Sequence, residues 1–296
     1  MARTLRSVKF VFLMTCIVFI VTFFIGGWLA CHKPLWNDEI YTQIFSIDSK
    51  SYLDILSMRI FEGNSCPLFY LSQKAIVDVF HYKFPFKQGK PYVFDNVSQL
   101  VLRLCPDLCM SLSLAIIFYF FSTQYSLVIG FYSLLSALVS PMVWLYWAEA
   151  RPYAMWFLLT TVQSFLFILI LKTNRCGSLS SLCAKDRHLW ISLIITHFLL
   201  SFTILLSLAQ ILIVTFLLWV FHNRSTRRYL WVGLFPSAVC LCYYVFSAAP
   251  LRRYSVGDPM GLILTAFPVD KLILLVVFLL MFALLPSLCN SDRFSK

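Results

Sequence analysis

The chain has 296 residues, 60% of them hydrophobic and 17% aromatic, with only 12% charged. That balance excludes an ordinary soluble domain and marks an integral membrane protein. The formal charge of +11 comes from 24 basic against 13 acidic side chains; most basic residues lie between apolar runs, which reads as an orientation signal rather than nucleic-acid binding.

Uncharged runs of about 20 residues recur, each long enough as a helix to cross a hydrocarbon core about 30 Å thick. Strands of a membrane barrel would be shorter and would alternate in polarity. The first nine residues, MARTLRSVK, are basic. The run from 8 to 29 follows without an evident cleavage site and reads as a retained span.

Next comes a segment from about 30 to 103 that opens on HKPLWNDEIYTQIF, with Asp38 and Glu39 between aromatic residues. Within it, 67–80 reads PLFYLSQKAIVDVF, short for a span and interrupted by Ser72, Gln73, Lys74 and Asp78. It should lie along the interface.

Further spans are expected at 104–121, 126–147 and 153–171. The uncharged stretch 189–221 would be about 50 Å long as one helix. Lys172, Arg175, Lys185 and Arg187 precede it, and Arg224, Arg227 and Arg228 follow it. The positive-inside rule puts both flanks in the cytoplasm, so the stretch should be a hairpin with its tip near Ser201 to Leu205. Spans at 229–249 and 269–287 complete about eight crossings in one transmembrane domain over 1–296, with both termini inside. Residues 30–103 and 147–156 then fall outside.

Ten cysteines are scattered without CxxC or metal-type spacing. Cys31 and Cys66 bracket the acidic segment and could pair in an oxidising compartment; two free thiols is the favoured reading.

This topology gathers charged groups on the outer face, where membrane depth makes them functional candidates by default. Asp38 and Glu39 could be a solvated acidic loop or a helix cap; otherwise one carboxylate takes a proton from an acceptor while the other orients it or binds a cation. Arg103 could snorkel or pair with Asp107 one turn on, and Glu149 with Arg151 could bridge around Pro152. Alternatively Arg103 and Arg151 hold a phosphate, with Arg252 and Arg253 in the last outer loop extending the site. His197 reads better as a satisfied polar residue between helices than as a catalyst.

The strings LWNDEIYT, CPLFYL, LRL, SP near EARPYAMWFLL, and THF, in this order over residues 28 to about 200, resemble the membrane glycosyltransferases of the GT-C fold. The likeness is to the family of protein mannosyltransferases and bacterial lipid A aminoarabinose transferases. Members move a sugar from a polyprenyl-phosphate carrier to an acceptor at the outer or lumenal face, usually with inversion. The resemblance implies Asp38 as base with Glu39 in support, Arg103 at the start of the RLP-like helix, and Glu149, Arg151 and Tyr153 in the EARPY element. His197 falls in the THY-like element, and Lys74 in the interfacial segment joins the site.

The chain departs from the pattern at Ser65-Cys66-Pro67-Leu68-Phe69, where many members read His-Pro-Pro-Leu-Tyr, and at Cys105, which separates the RL from Pro106. Expected partners are a polyprenyl-phosphate-linked sugar, a lipid, glycan or protein acceptor, and membrane lipid. No nucleotide motif is present; a divalent metal, with Asp38 and Glu39 as ligands, stays open. The style of the resemblance favours a bacterial inner membrane over the endoplasmic reticulum. Two rival readings are a shortened, non-catalytic relative acting as a partner subunit, and a transporter of lipid-linked sugar.

Overall fold

The structure, a computed structural model, describes residues 2–60, 66–83, 96–175, 182–221 and 228–247. Among them every regular element is helical. The expected span at 269–287 lies outside the described residues.

Helix α1 (Ala2–His32) is continuous, and its Thr22 hydroxyl donates back to Val18 O at 2.8 Å, so a polar side chain sits in an apolar helix without an orphan group. Beyond it come the short α2 (Asn37–Tyr41), a π-helical segment (Thr42–Asp48), α3 (Tyr52–Leu56) and α4 (Pro67–Val79). Ser51 caps α3 by accepting from Asp54 N at 3.1 Å.

Helix α5 (Asn96–Gln124) begins eight residues before the expected 104, so Arg103 lies inside the helix rather than ahead of it. Its Pro106 has no N–H to give to Leu102 O. Gln73 of α4 supplies the missing donor, with Nε2 2.8 Å from that carbonyl and the side chain fully buried. A proline in one helix thereby fixes where a neighbouring helix docks. Packing of α1 along α5 is equally specific: a Cβ on Gly26 would fall 1.7 Å from Asp107 Oδ1, so only glycine allows this approach.

The expected span 126–147 is broken. Helix α6 (Leu127–Val139) and α7 (Pro141–Trp147) meet at a bend of 70°. Ser140 precedes a proline and is held in the extended region (φ −68°, ψ 122°), which stops α6 and lets Pro141 open α7 at its first position. The carbonyl of Leu138 is satisfied by the Trp144 indole N–H at 2.5 Å.

Helix α8 (Tyr153–Arg175) follows, then α9 (Leu182–Ser201) and α10 (Ser207–Phe221), which are joined by a turn at residues 202–206, and α11 (Arg228–Phe246). Among the described residues three helices, Val8–His32, Asn96–Gln124 and Tyr153–Lys172, are long and apolar enough to cross a membrane; the bent α6–α7 pair makes a fourth if counted as one span. Ser207–Phe221 and Gly233–Tyr244 are shorter apolar helices. Helix α4 has 13 residues and falls short of a span, as its sequence implies.

One core joins α1, α5, α6 and α7 around Leu114, Phe118 and Trp147, and another joins α3, α4, α8 and α11 around Ile55, Phe69, Leu159 and Tyr244. The C-terminus of α1, the N-termini of α5 and α8, and the short helices α2 to α4 all meet at one end of the molecule.

Candidate functional site

At that end the residues singled out in the sequence converge, but they divide into a buried pair and an exposed pair. Glu39 and Arg103 form the buried pair, with 1% and 0% of their surface exposed. Arg103 Nε donates to Glu39 Oε1 at 3.0 Å and one terminal nitrogen donates to Oε2 at 2.8 Å. The remaining N–H groups go to the carbonyls of Ala30 at 2.9 Å, Lys33 at 2.5 Å and Pro34 at 2.9 Å. A guanidinium has five N–H donors, and all five are used.

Glu39 is saturated in turn. Oε1 also accepts from Ala150 N at 2.6 Å and Oε2 from Trp36 N at 2.9 Å, giving four donors for a carboxylate's four favourable positions. Such a pair is the arrangement in which two buried charges are tolerable. It ties the C-terminus of α1, α2, α5 and the α7–α8 junction together. The two readings made for Arg103 therefore both change: its partner is Glu39 rather than Asp107, and it holds no spare donor for a phosphate. Glu39 likewise has no open position for a metal ion, so it does not complete a chelating set with Asp38.

The exposed pair is Asp38 with Arg151. Arg151 donates to Asp38 Oδ2 at 3.5 Å and to the Thr42 hydroxyl at 3.1 Å. The Asp38 side chain is 66% exposed and that of Arg151 19% exposed. A 3.5 Å contact lies beyond the usual hydrogen-bond range. Asp38 and Glu39 are neighbours in a short helix, so their side chains point about 100° apart. That rotation alone buries one and exposes the other.

Glu149 is half-buried beside this cluster. Burial raises its carboxyl above the ordinary range; Lys33 opposes the rise, Glu39 adds to it, Arg151 opposes it and Asp38 adds to it. Arg151 N accepts its place in the turn by donating to Glu149 O at 2.7 Å. Lys33, which the sequence reading passed over, donates to Leu145 O at 2.6 Å. Its ammonium is lowered by burial, with Glu149 opposing and Arg103 adding to the effect. A lysine directly after an apolar run and ahead of an acid pair was the signal for it.

The ring of Tyr153 lies tilted by 45° against that of Tyr146, with centroids 4.5 Å apart. Both line a cleft of about 490 Å³ with Met110, Ser140, Met142, Val143, Trp156, Phe157, Thr160 and Leu206. The cleft is walled almost wholly by apolar groups, with Ser140 at the corner between α6 and α7 among its lining residues. Lys74 belongs to a second cleft, of about 650 Å³, with Asp48, Asp78, His81 and Lys83. It donates to Asp78 at 2.9 Å. Tyr82 of that cleft and Ile40 of the acid pair's helix pack against the same apolar cluster of Leu102 and Ala150.

His197 stands apart from these groups. It is fully buried between α9 and α11, with Nδ1 3.1 Å from Gly233 O and Nε2 without a hydrogen-bond partner among the described residues. Arg252 and Arg253 lie outside the described residues. Cys31 and Cys66 are not joined to each other. Among the described residues no three His, Cys, Asp or Glu side chains gather as a metal set.

Among the described residues, the fold and this site define a helical protein with membrane-length apolar helices and a charged cluster at one end. No protein-family model matches the chain, and no curated protein or solved structure matches it significantly.

Proposed function

We propose that the chain is a membrane glycosyltransferase of the GT-C type, with about eight crossings, which moves a sugar from a polyprenyl-phosphate carrier to an acceptor with inversion. The site faces the outer or lumenal side, in a bacterial inner membrane rather than endoplasmic reticulum. The observation that carries this reading is the loose, accessible Asp38–Arg151 contact resting on the saturated Glu39–Arg103 pair.

Asp38 takes the proton of an acceptor hydroxyl or amine, which attacks the anomeric carbon from the face opposite the phosphate. The bond between that carbon and the phosphate oxygen breaks, and the polyprenyl phosphate leaves with the electron pair. Arg151 exchanges Asp38 for the phosphate oxygens and stabilises the charge that grows there, an effect larger than general-base help. Glu39 and Arg103 are positioning residues, which fix the α2 helix that carries Asp38 against the turn that carries Arg151. The first isoprene units of the donor occupy the apolar cleft lined by Tyr146 and Tyr153, two residues along from Arg151. No step is routed through a metal.

A second reading, a shortened relative acting as a partner subunit, is favoured by the altered Ser65-Cys66-Pro67 element, where Cys66 is buried in packing. The test uses purified protein and a radiolabelled polyprenyl-phosphate sugar, wild type against Asp38→Asn. A transferase releases polyprenyl phosphate in the wild type alone. A transporter carries intact label across vesicles, a partner subunit does neither by itself, and full transfer by Asp38→Asn removes the base assignment.

A further inference from the structure

Cys66 and Cys240 sit at a junction that the proposed reaction does not use. Cys66 is the residue before α4, and Cys240 lies in the second half of α11. Both are fully buried, and they pack together with Leu208 and Leu241.

The backbone fixes each of them from the same place, the turn between α9 and α10. Cys66 N donates to Thr203 O at 3.2 Å, and Leu68 N donates to Phe202 O at 2.9 Å. From the other side, the Cys240 thiol donates to Ser201 O at 2.8 Å. Both side chains thus belong to one buried cluster at this turn. Further contacts hold α11 to the same region: the Tyr243 hydroxyl donates to Leu56 O, and the rings of Phe202 and Tyr243 are 5.2 Å apart. The Cys31 sulfur instead lies 4.0 Å from Asn96 O.

We propose that Cys66 and Cys240 are a native disulfide pair, which forms where this end of the protein matures in an oxidising compartment and ties the start of α4 to α11. The bond forms by loss of two protons and two electrons from the thiols, taken up by a disulfide of the compartment, which leaves as two thiols. Because both sulfurs are buried once packed, the pair closes as the chain folds and then resists exchange, as a structural bridge does. The inference concerns covalent structure and stands whether or not the chain transfers a sugar.

The test takes the full chain, purified from membranes without reductant, denatured and labelled with a maleimide of high mass. Of its ten cysteines, at least two should label only after reduction. Peptide mapping of the same unreduced wild type should recover the Cys66 and Cys240 peptides joined. Protein refolded with glutathione disulfide should gain the same link, and Cys66→Ala and Cys240→Ala should each abolish it. The wild-type map needs no variant that folds. Recovery of Cys66 and Cys240 as free thiols from both preparations, or of Cys66 joined to Cys31, overturns the proposal.

Discussion

Replacing Glu39 by glutamine keeps the shape of the side chain but removes its charge and half of its acceptor capacity. Four N–H groups converge on the carboxylate, from Arg103 twice, Ala150 and Trp36. A glutamine offers one carbonyl oxygen, so the groups that face its amide nitrogen meet another donor. Arg103, fully buried, is left with an uncompensated charge. Breaking a buried pair from one side costs about 3–5 kcal/mol, and at about 2–4 °C per kcal/mol this lowers the melting temperature by roughly 6–20 °C. The measurement is thermal unfolding of purified protein in detergent, followed by tryptophan fluorescence, for Glu39→Gln, Arg103→Gln and the double variant. The double variant should fall short of the sum of the singles by a coupling on the order of 2 kcal/mol. Additive losses, or a Glu39→Gln protein melting with the wild type, would refute the claim that this pair holds the site together.

Asp38→Asn should abolish sugar transfer while moving the melting temperature by no more than about 4 °C, since an exposed pair contributes at most about 1 kcal/mol; paired activity and unfolding measurements check both halves. Gly26→Ala places a Cβ 1.7 Å from Asp107 Oδ1 and 2.6 Å from Trp147 Nε1. It should cost about 3 kcal/mol or more, seen as loss of folded protein on size exclusion, because rigid helices must separate. Asp48, whose carboxyl is raised to about 6 chiefly by burial, binds more protons folded than unfolded between pH 4 and 6. Stability should therefore decline as pH rises through that window and level off above it. Asp48→Asn should flatten the decline in melting scans from pH 4 to 7; the residue keeps contact with solvent, so the slope is shallower than for a sealed carboxyl.

Much of the site was legible because orientation rules need only the order of charges and apolar runs. Asp38, Glu39, Arg103, Glu149 and Arg151 fall at one end for that reason. Their division of labour was not legible, since it depends on the rotation of a helix only five residues long. Arg103 looked available for a phosphate because nothing in the string LRL reveals that three carbonyls of another segment point at it. The hairpin at 189–221 followed from its flanks, and its turn falls at 202–206. The bend at Ser140 did have a signal, the proline after it, but an unbroken apolar count from 126 to 147 masked the break. The neighbour of Cys66 could not be read at all, since Cys240 is remote in the chain and meets it only through the turn between α9 and α10.

The 70° elbow between α6 and α7 has a spatial consequence. Four of the residues around the apolar cleft, Ser140, Met142, Val143 and Tyr146, belong to the corner or to the arm beyond it. Had the rod run straight, those side chains would stand elsewhere and the hollow would lose a wall. A single imino acid thus hollows out a berth, and the Trp144 indole seals the torn rung of the helix so that no water is needed to line it.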